Sequence, residues 1–279
     1  MPQSLHPSSQ TLSASRSNTP DPSMTLTLPR ILCLHGGGVN ASIFRNQMRA
    51  FLTHPQLAPR FRFVFVEAPF FCDEGIGIYP VYANWGPFRR WSRWLKTHEE
   101  IDASTCMHEI IYGVEQGMKA DEGKGEFVGV LGFSQGAKVA CSLLLKQQLD
   151  EAAGIEVPRD SLLGKFRFGI IMAGRAPLLA LNEEMEQMKF LQSAAGLPDE
   201  ADMDAIFEAP EHKLRLPTVH VHGLRDEGLE LHRRCVEDYC AAGTTVVVEW
   251  DGPHRIPIKK VDVEMVVEAF VELADEYSV

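Results

Sequence analysis

An α/β fold on a mostly parallel sheet is the architecture that this sequence predicts. Two observations carry the prediction. From Arg30 onward, short apolar runs alternate with longer amphipathic ones, the order that builds βαβ units. At residues 129–140, GVLGFSQGAKVA, a buried-type strand passes into a helix through a serine flanked by glycines. The 279 residues, 45% hydrophobic and 23% charged, suffice for one sizeable core.

Each element follows from its local pattern. Ile31–His35 reads as a strand, and Ala41–Thr53 as a helix with Ile43, Phe44, Met48, Phe51 and Leu52 on one side. FRFVFVE, residues Phe61–Glu67, is a second strand, and Ala103–Met118 a helix. Strand Phe127–Phe133, helix Ala137–Leu149 and strand Phe166–Met172 come next. Strand Thr218–His222, helix Leu229–Ala241, strand Thr245–Trp250 and helix Val261–Tyr277 complete the chain, which has no internal repeat. Two insertions interrupt the alternation. Residues 70–100 hold Trp85, Trp91 and Trp94, and residues 175–216 are rich in Glu and Met and helix-like. Segments this long inside a domain read as lids or binding loops, with packed decoration as the plainer reading.

Residues 1–28 are rich in Ser, Thr and Pro and poor in large apolar side chains, so a disordered tail is expected ahead of a domain spanning 29–279. The tail lacks the apolar segment of a secretory signal, and its single Arg16 argues against a transit peptide. Met24 offers an alternative start. Six scattered cysteines without metal or disulfide spacing suit a reducing, cytoplasmic setting. The net charge of −11 argues against nucleic acid or an anionic membrane as partner. No apolar run approaches the ~20 residues of a membrane span.

Ser134 lies in Gly-x-Ser-x-Gly between a predicted strand and a predicted helix, the context of a nucleophile elbow. The sharp turn needs small residues at 132 and 136, and it lifts the hydroxyl toward the N–H groups of the following helix. The plainer reading is a helix-capping serine between permissive glycines. A nucleophile needs a base, and the base an orienting carboxylate. TVHVHGLRDEG places Asp226 just past one strand, and VVVEWDGPHRIP places His254 past the next. All three residues sit at C-terminal strand ends, where open parallel sheets carry their sites, and the order Ser, Asp, His is that of α/β-hydrolases.

Glu227 and Asp251 compete for the acid role, but Asp251 is only three residues from His254 and is expected to face elsewhere. His220 and His222 alternate with valine in a strand, so they share a face and read as core histidines, with no third residue at metal-ligand spacing. His54, His98 and His232 read as surface or packing residues. Acyl chemistry requires an oxyanion hole, expected from the N–H of Gln135 and of an early glycine in His35-Gly36-Gly37-Gly38, assigned to Gly37 with Gly38 left open. The same run, Gly36-x-Gly38-x-x-Ala41 with Glu67 ending the next strand, formally matches a dinucleotide fingerprint. That reading leaves Ser134, Asp226 and His254 unexplained.

With LHGGGVNASIF, GPFRRW, GFSQGA, HGLRDEG and GPHRIP together, the chain from about Pro29 onward resembles the fungal serine hydrolase family related to the yeast family of serine hydrolases. That family includes lovastatin-type thioesterases that accompany polyketide synthases. Its members more often carry Gly-Gly-His where this chain has Gly252-Pro253-His254. The resemblance implies an α/β-hydrolase fold, ester or thioester hydrolysis without cofactor or metal, and a polyketide acyl chain on a synthase carrier domain as substrate. Phe70, Phe71, Trp85, Phe88, Trp91 and Trp94 would suit an extended apolar acyl chain. A general carboxylesterase is the alternative in the same class, and a non-catalytic small-molecule receptor the alternative outside it.

Overall fold

The computed structural model describes residues 25–158, 161–197 and 212–279. Six parallel strands form the central sheet: β1 (Arg30–Leu34), β2 (Arg62–Val66), β5 (Phe127–Phe133), β6 (Phe168–Met172), β7 (Thr218–Gly223) and β8 (Thr245–Trp250). Their order in space is β2-β1-β5-β6-β7-β8, so the winding direction reverses between β1 and β5. Loops leaving the sheet part to opposite sides at such a reversal, which leaves a crevice there.

Successive side chains of a strand point to opposite faces, and both faces of this sheet are covered. Along β1, Leu32 and Leu34 enter one core with residues of α3 (Ala103–Ala120), α4 (Gln135–Ala152) and α6 (Leu229–Tyr239). Ile31 and Cys33 enter the other, against Phe44 of α1 (Ala41–Gln47), Phe51 of α2 (Arg49–Leu52) and Phe270 of α7 (Lys260–Glu276). The helix expected over Ala41–Thr53 is two helices that meet at Met48, with no glycine or proline to mark the break. Asn40 caps α1 by accepting the Ile43 N–H at 2.9 Å.

The two insertions differ from their expected forms. Residues 70–100 contain a two-stranded antiparallel hairpin, β3 (Phe70–Cys72) with β4 (Phe88–Arg90), that the sequence pattern does not announce. Backbone hydrogen bonds tie this segment to the glycine loop after β1: Gly38 N–H to Arg89 O at 2.9 Å, Arg89 N–H to Val39 O, and Gly75 N–H to Gly38 O at 2.8 Å. These bonds fasten the segment to the domain at Gly75 and Arg89. Of residues 175–216, those at 198–211 lie outside the described residues. The described part is mostly irregular, with one short helix, α5 (Glu183–Glu186), and it packs Leu178, Leu179, Leu181 and Met185 into the core.

Residues 1–24 of the expected tail lie outside the described residues. Residues 25–28 belong to the domain, a correction of four residues. Leu26 O accepts the Lys124 N–H at 2.7 Å, and Leu28 lies so close to Gly125 that a Cβ there would sit 2.0 Å from Leu28 O.

Candidate active site

β5 ends at Phe133 and α4 begins at Gln135, which leaves Ser134 to make the whole turn. It does so at φ 55°, ψ −116°, a strained conformation for a residue with a side chain. Both flanking glycines are required by close approach. A Cβ on Gly132 would lie 2.2 Å from Gly136 O, and one on Gly136 would lie 2.1 Å from Leu34 O. The Ser134 side chain makes no helix-capping hydrogen bond, so the capping reading is not the one adopted.

The hydroxyl meets the imidazole instead. His254 Nε2 lies 2.9 Å from Ser134 Oγ, and His254 Nδ1 lies 2.5 Å from Asp226 Oδ2. The loops that bring Asp226 and His254 together are packed backbone to backbone. Arg225 N–H donates to Gly252 O, and a Cβ on Gly223 would come within 2.5 Å of the same oxygen. Asp251 is exposed and pairs with Arg225 at 2.8 Å, so Asp226 is the carboxylate on His254.

Asp226 is buried, with its side chain out of solvent. Burial pushes its acidity toward the neutral form. The hydrogen bond with His254 and the Gly228 N–H at 2.8 Å outweigh that and hold the carboxyl well below the usual range. Arg175, at the end of β6, adds an Nη2 contact to Asp226 Oδ1 at 3.3 Å. Its guanidinium lies on Gly228, where a Cβ would be 2.3 Å from Nε. Arg175 escapes pattern reasoning because it belongs to no motif, although its place just past a parallel strand is a signal. His232, read from sequence as a surface or packing residue, is fully buried with Nε2 3.6 Å from Asp226 Oδ2.

The backbone N–H groups near the serine differ in their commitments. Among the described residues, the N–H groups of Gly37 and Gln135 have no hydrogen-bond partner, whereas Gly38 N–H is committed to Arg89 O. A Cβ on Gly37 would lie 3.0 Å from the Gln135 side chain and 2.9 Å from Trp94, so the glycine loop adjoins the first residue of α4. The Gln135 side chain joins loop to helix, accepting Trp91 N–H at 3.0 Å and donating to Ser92 O at 3.1 Å. His35 closes β1, donating Nδ1–H to Gly36 O and accepting Ala68 N–H on Nε2. Burial pushes it down to about 4, so it stays neutral.

The glycine loop is filled by the chain itself. A Cβ on Gly38 would meet Gly75 N at 2.3 Å, leaving no room there for a pyrophosphate. The dinucleotide reading fails on that contact.

Of the six aromatic residues expected to line an acyl groove, the structure brings Trp94 to the glycine loop. Trp91 is a core residue, 0% exposed, whose indole N–H donates to His35 O at 2.8 Å. Phe88 packs against a small cluster of Val39, Ile43 and Ile78. Phe70 borders the main core beneath the Arg90 guanidinium. Phe71 is 64% exposed, and Trp85 is partly exposed against Tyr82. Trp91 and Phe88 thus pack inside while Phe71 and Trp85 reach solvent, a division that a count of aromatic residues does not reveal.

A parallel sheet that reverses beside a strained serine, with His254 and Asp226 brought to it by the loops after β8 and β7, defines an α/β-hydrolase. The maize acyl-protein thioesterase 2 structure superposes with a TM-score of 0.52 at 17% identity, covering 88% of this chain and 94% of that one, which is a likeness of fold. The chain belongs to the serine hydrolase (FSH1) family, whose pattern matches residues 24–266. It is 45% identical over 258 residues to the esterase citA of Monascus ruber, covering 90% of this chain and 94% of that protein. It is 43% identical over 265 residues to the esterase claE of Penicillium crustosum, covering 91% and 96%. The protein is an ester-hydrolysing serine hydrolase. None of the helices among the described residues is long and apolar enough to cross a membrane.

Proposed function

We propose that Ser134 is the nucleophile, His254 the general base and Asp226 its orienting acid, and that the substrate is an acyl thioester carried on the phosphopantetheine arm of a polyketide synthase. The observation that carries the roles is the continuous contact Ser134 Oγ–His254 Nε2 and His254 Nδ1–Asp226 Oδ2. His254 takes the Ser134 proton as Oγ attacks the acyl carbonyl. Asp226 holds the tautomer with the proton on Nδ1 and stabilises the imidazolium that forms. The Gly37 and Gln135 N–H groups receive the oxyanion. His254 then protonates the departing thiol, and a water activated by the same imidazole releases the acid.

The likeness of LHGGGVNASIF and GPHRIP to fungal polyketide thioesterases supports the thioester reading, and the six free cysteines suit a reducing cytoplasm. A carboxylesterase acting on smaller esters is the second reading, favoured by the placement of Trp91 and Phe88 in packed interiors. The two are separated by kcat/KM over acyl thioesters and matched oxyesters from acetyl to decanoyl. A carrier-type thioesterase gains about 10–50-fold from acetyl to octanoyl as two or three methylenes are buried at ~0.8 kcal/mol each. Trp94→Ala should flatten that rise and spare short esters. A flat wild-type profile would transfer the function to the carboxylesterase reading.

A further inference from the structure

Three buried histidines extend inward from the proposed triad. Ring centroids run from His254 to His232 at 6.2 Å, to His222 at 5.6 Å and to His220 at 6.1 Å. His232 matters most, because it stands against the carboxylate. It occupies the first turn of α6, its own N–H bonded to Gly228 O, while Gly228 N–H caps Asp226 Oδ1. That turn directs Nε2 to Asp226 Oδ2, the oxygen already engaged by His254 Nδ1.

Neither ring nitrogen of His232 has a hydrogen-bond partner among the described residues. A buried polar side chain without one is costly, so its retention asks for a reason. Burial is the main influence on its ionisation and pushes it down to about 3, keeping the ring neutral at working pH. A neutral imidazole carries one N–H and one lone pair. A lone pair aimed at a carboxylate oxygen 3.6 Å away repels it, whereas an N–H aimed there is attracted. At that distance the contact is looser than a formed hydrogen bond, and it closes if the carboxylate turns by a few tenths of an ångström.

Resting on the triad proposed above, we infer that His232 is a positioning residue: its Nε2–H steadies Asp226 Oδ2 as a second donor and holds the carboxylate in the rotamer that orients His254. The charged and titratable groups around this pair are few. Asp226 is faced by His254 from the loop after β8, by Arg175 from the end of β6 and by His232 from α6. His232 is faced in addition by His222 of β7, beyond which lie Glu249 and Arg233. A neutral donor on Oδ2 spreads the carboxylate charge and weakens its hold on the imidazolium proton. Its removal therefore has a readable direction: the carboxylate becomes more basic, the imidazolium better held, and the acid limb of the rate profile moves to higher pH.

The test compares His232→Leu with His232→Gln, since a Gln amide nitrogen reaches about where Nε2 lies. Profiles of kcat/KM against pH are measured on a p-nitrophenyl ester, with Ser134→Ala and fluorophosphonate labelling as controls. His232→Leu should lower kcat about tenfold with KM little changed and move the acid limb upward, while His232→Gln restores both. Equal losses in both variants, with the acid limb unmoved, would make His232 a packing residue and overturn the inference. So would a wild-type rate and profile in folded His232→Leu. Long-range ¹H–¹⁵N spectra of the wild type test the tautomer without any substitution, and a proton on Nδ1 of His232 overturns the inference as well. Activity or labelling that survives in Ser134→Ala would instead bring down the triad, and this inference with it.

Discussion

Gly136→Ala adds one methyl group at the closest approach between helix and sheet, and its effect can be worked from the structure. The new Cβ would stand 2.1 Å from Leu34 O, 2.4 Å from Leu34 C and 2.5 Å from His35 O. All three are backbone atoms, so no side chain can rotate aside. Ordinary contact begins at 3.4 Å, so the start of α4 must withdraw from β1 by about 1 Å. That movement carries Ser134 and the Gln135 N–H away from His254 and from Gly37. Overpacking of this kind costs about 1–3 kcal/mol of stability, and a 1 Å misplacement of a reacting group costs about 10²-fold in rate. The assays are urea unfolding and kcat on a p-nitrophenyl ester. Gly154→Ala is the control: its φ is 69°, no atom lies within 4 Å of its Cβ, and it should cost ~1 kcal/mol of stability with kcat unchanged. A folded Gly136→Ala that keeps kcat within threefold of wild type would refute the claim that this contact sets the serine's position.

Asp226→Asn should favour the wrong His254 tautomer and lower kcat by about 10⁴-fold, the loss seen in the best-studied protease triad, whereas Asp251→Asn should stay within a fewfold of wild type. Steady-state kinetics of both variants check this, and reversed effects would move the acid role to Asp251. Acid sensitivity should come from buried histidines. Burial pushes His35 down to about 4 and His220 down to about 3, so between pH 6.5 and 4 the unfolded chain binds protons that the folded one does not. Each therefore removes up to about 1.4 kcal/mol of stability per pH unit as pH falls through that window. Asp226, held low, contributes in the opposite region, since its stabilisation is lost only as pH drops below the ordinary carboxylate range. Urea unfolding at pH 6.5, 5.5 and 4.5 reads the slope, which His220→Gln should reduce.

Local chemistry was enough for the sequence to indicate the sheet's strands, the serine turn and the three side chains that the fold brings into contact. Alternating apolar runs, Gly132 and Gly136 around Ser134, and Asp226 and His254 just past their strands are each readable within about ten residues, because each depends on backbone sterics and hydrophobic period. Tertiary structure decided what depends on pairing between distant segments. It made Trp91 a core residue, its indole N–H held by His35 O, and Trp94 a neighbour of Gly37. Closure of Gly38 against Gly75 and Arg89, which excludes a dinucleotide, joins residues some 37 to 51 positions apart. Arg175 and His232 reach Asp226 from β6 and α6 only once those elements stand beside β7. A side chain's partners across a sheet leave no periodic trace in its own neighbours, so these contacts exist only in the folded chain.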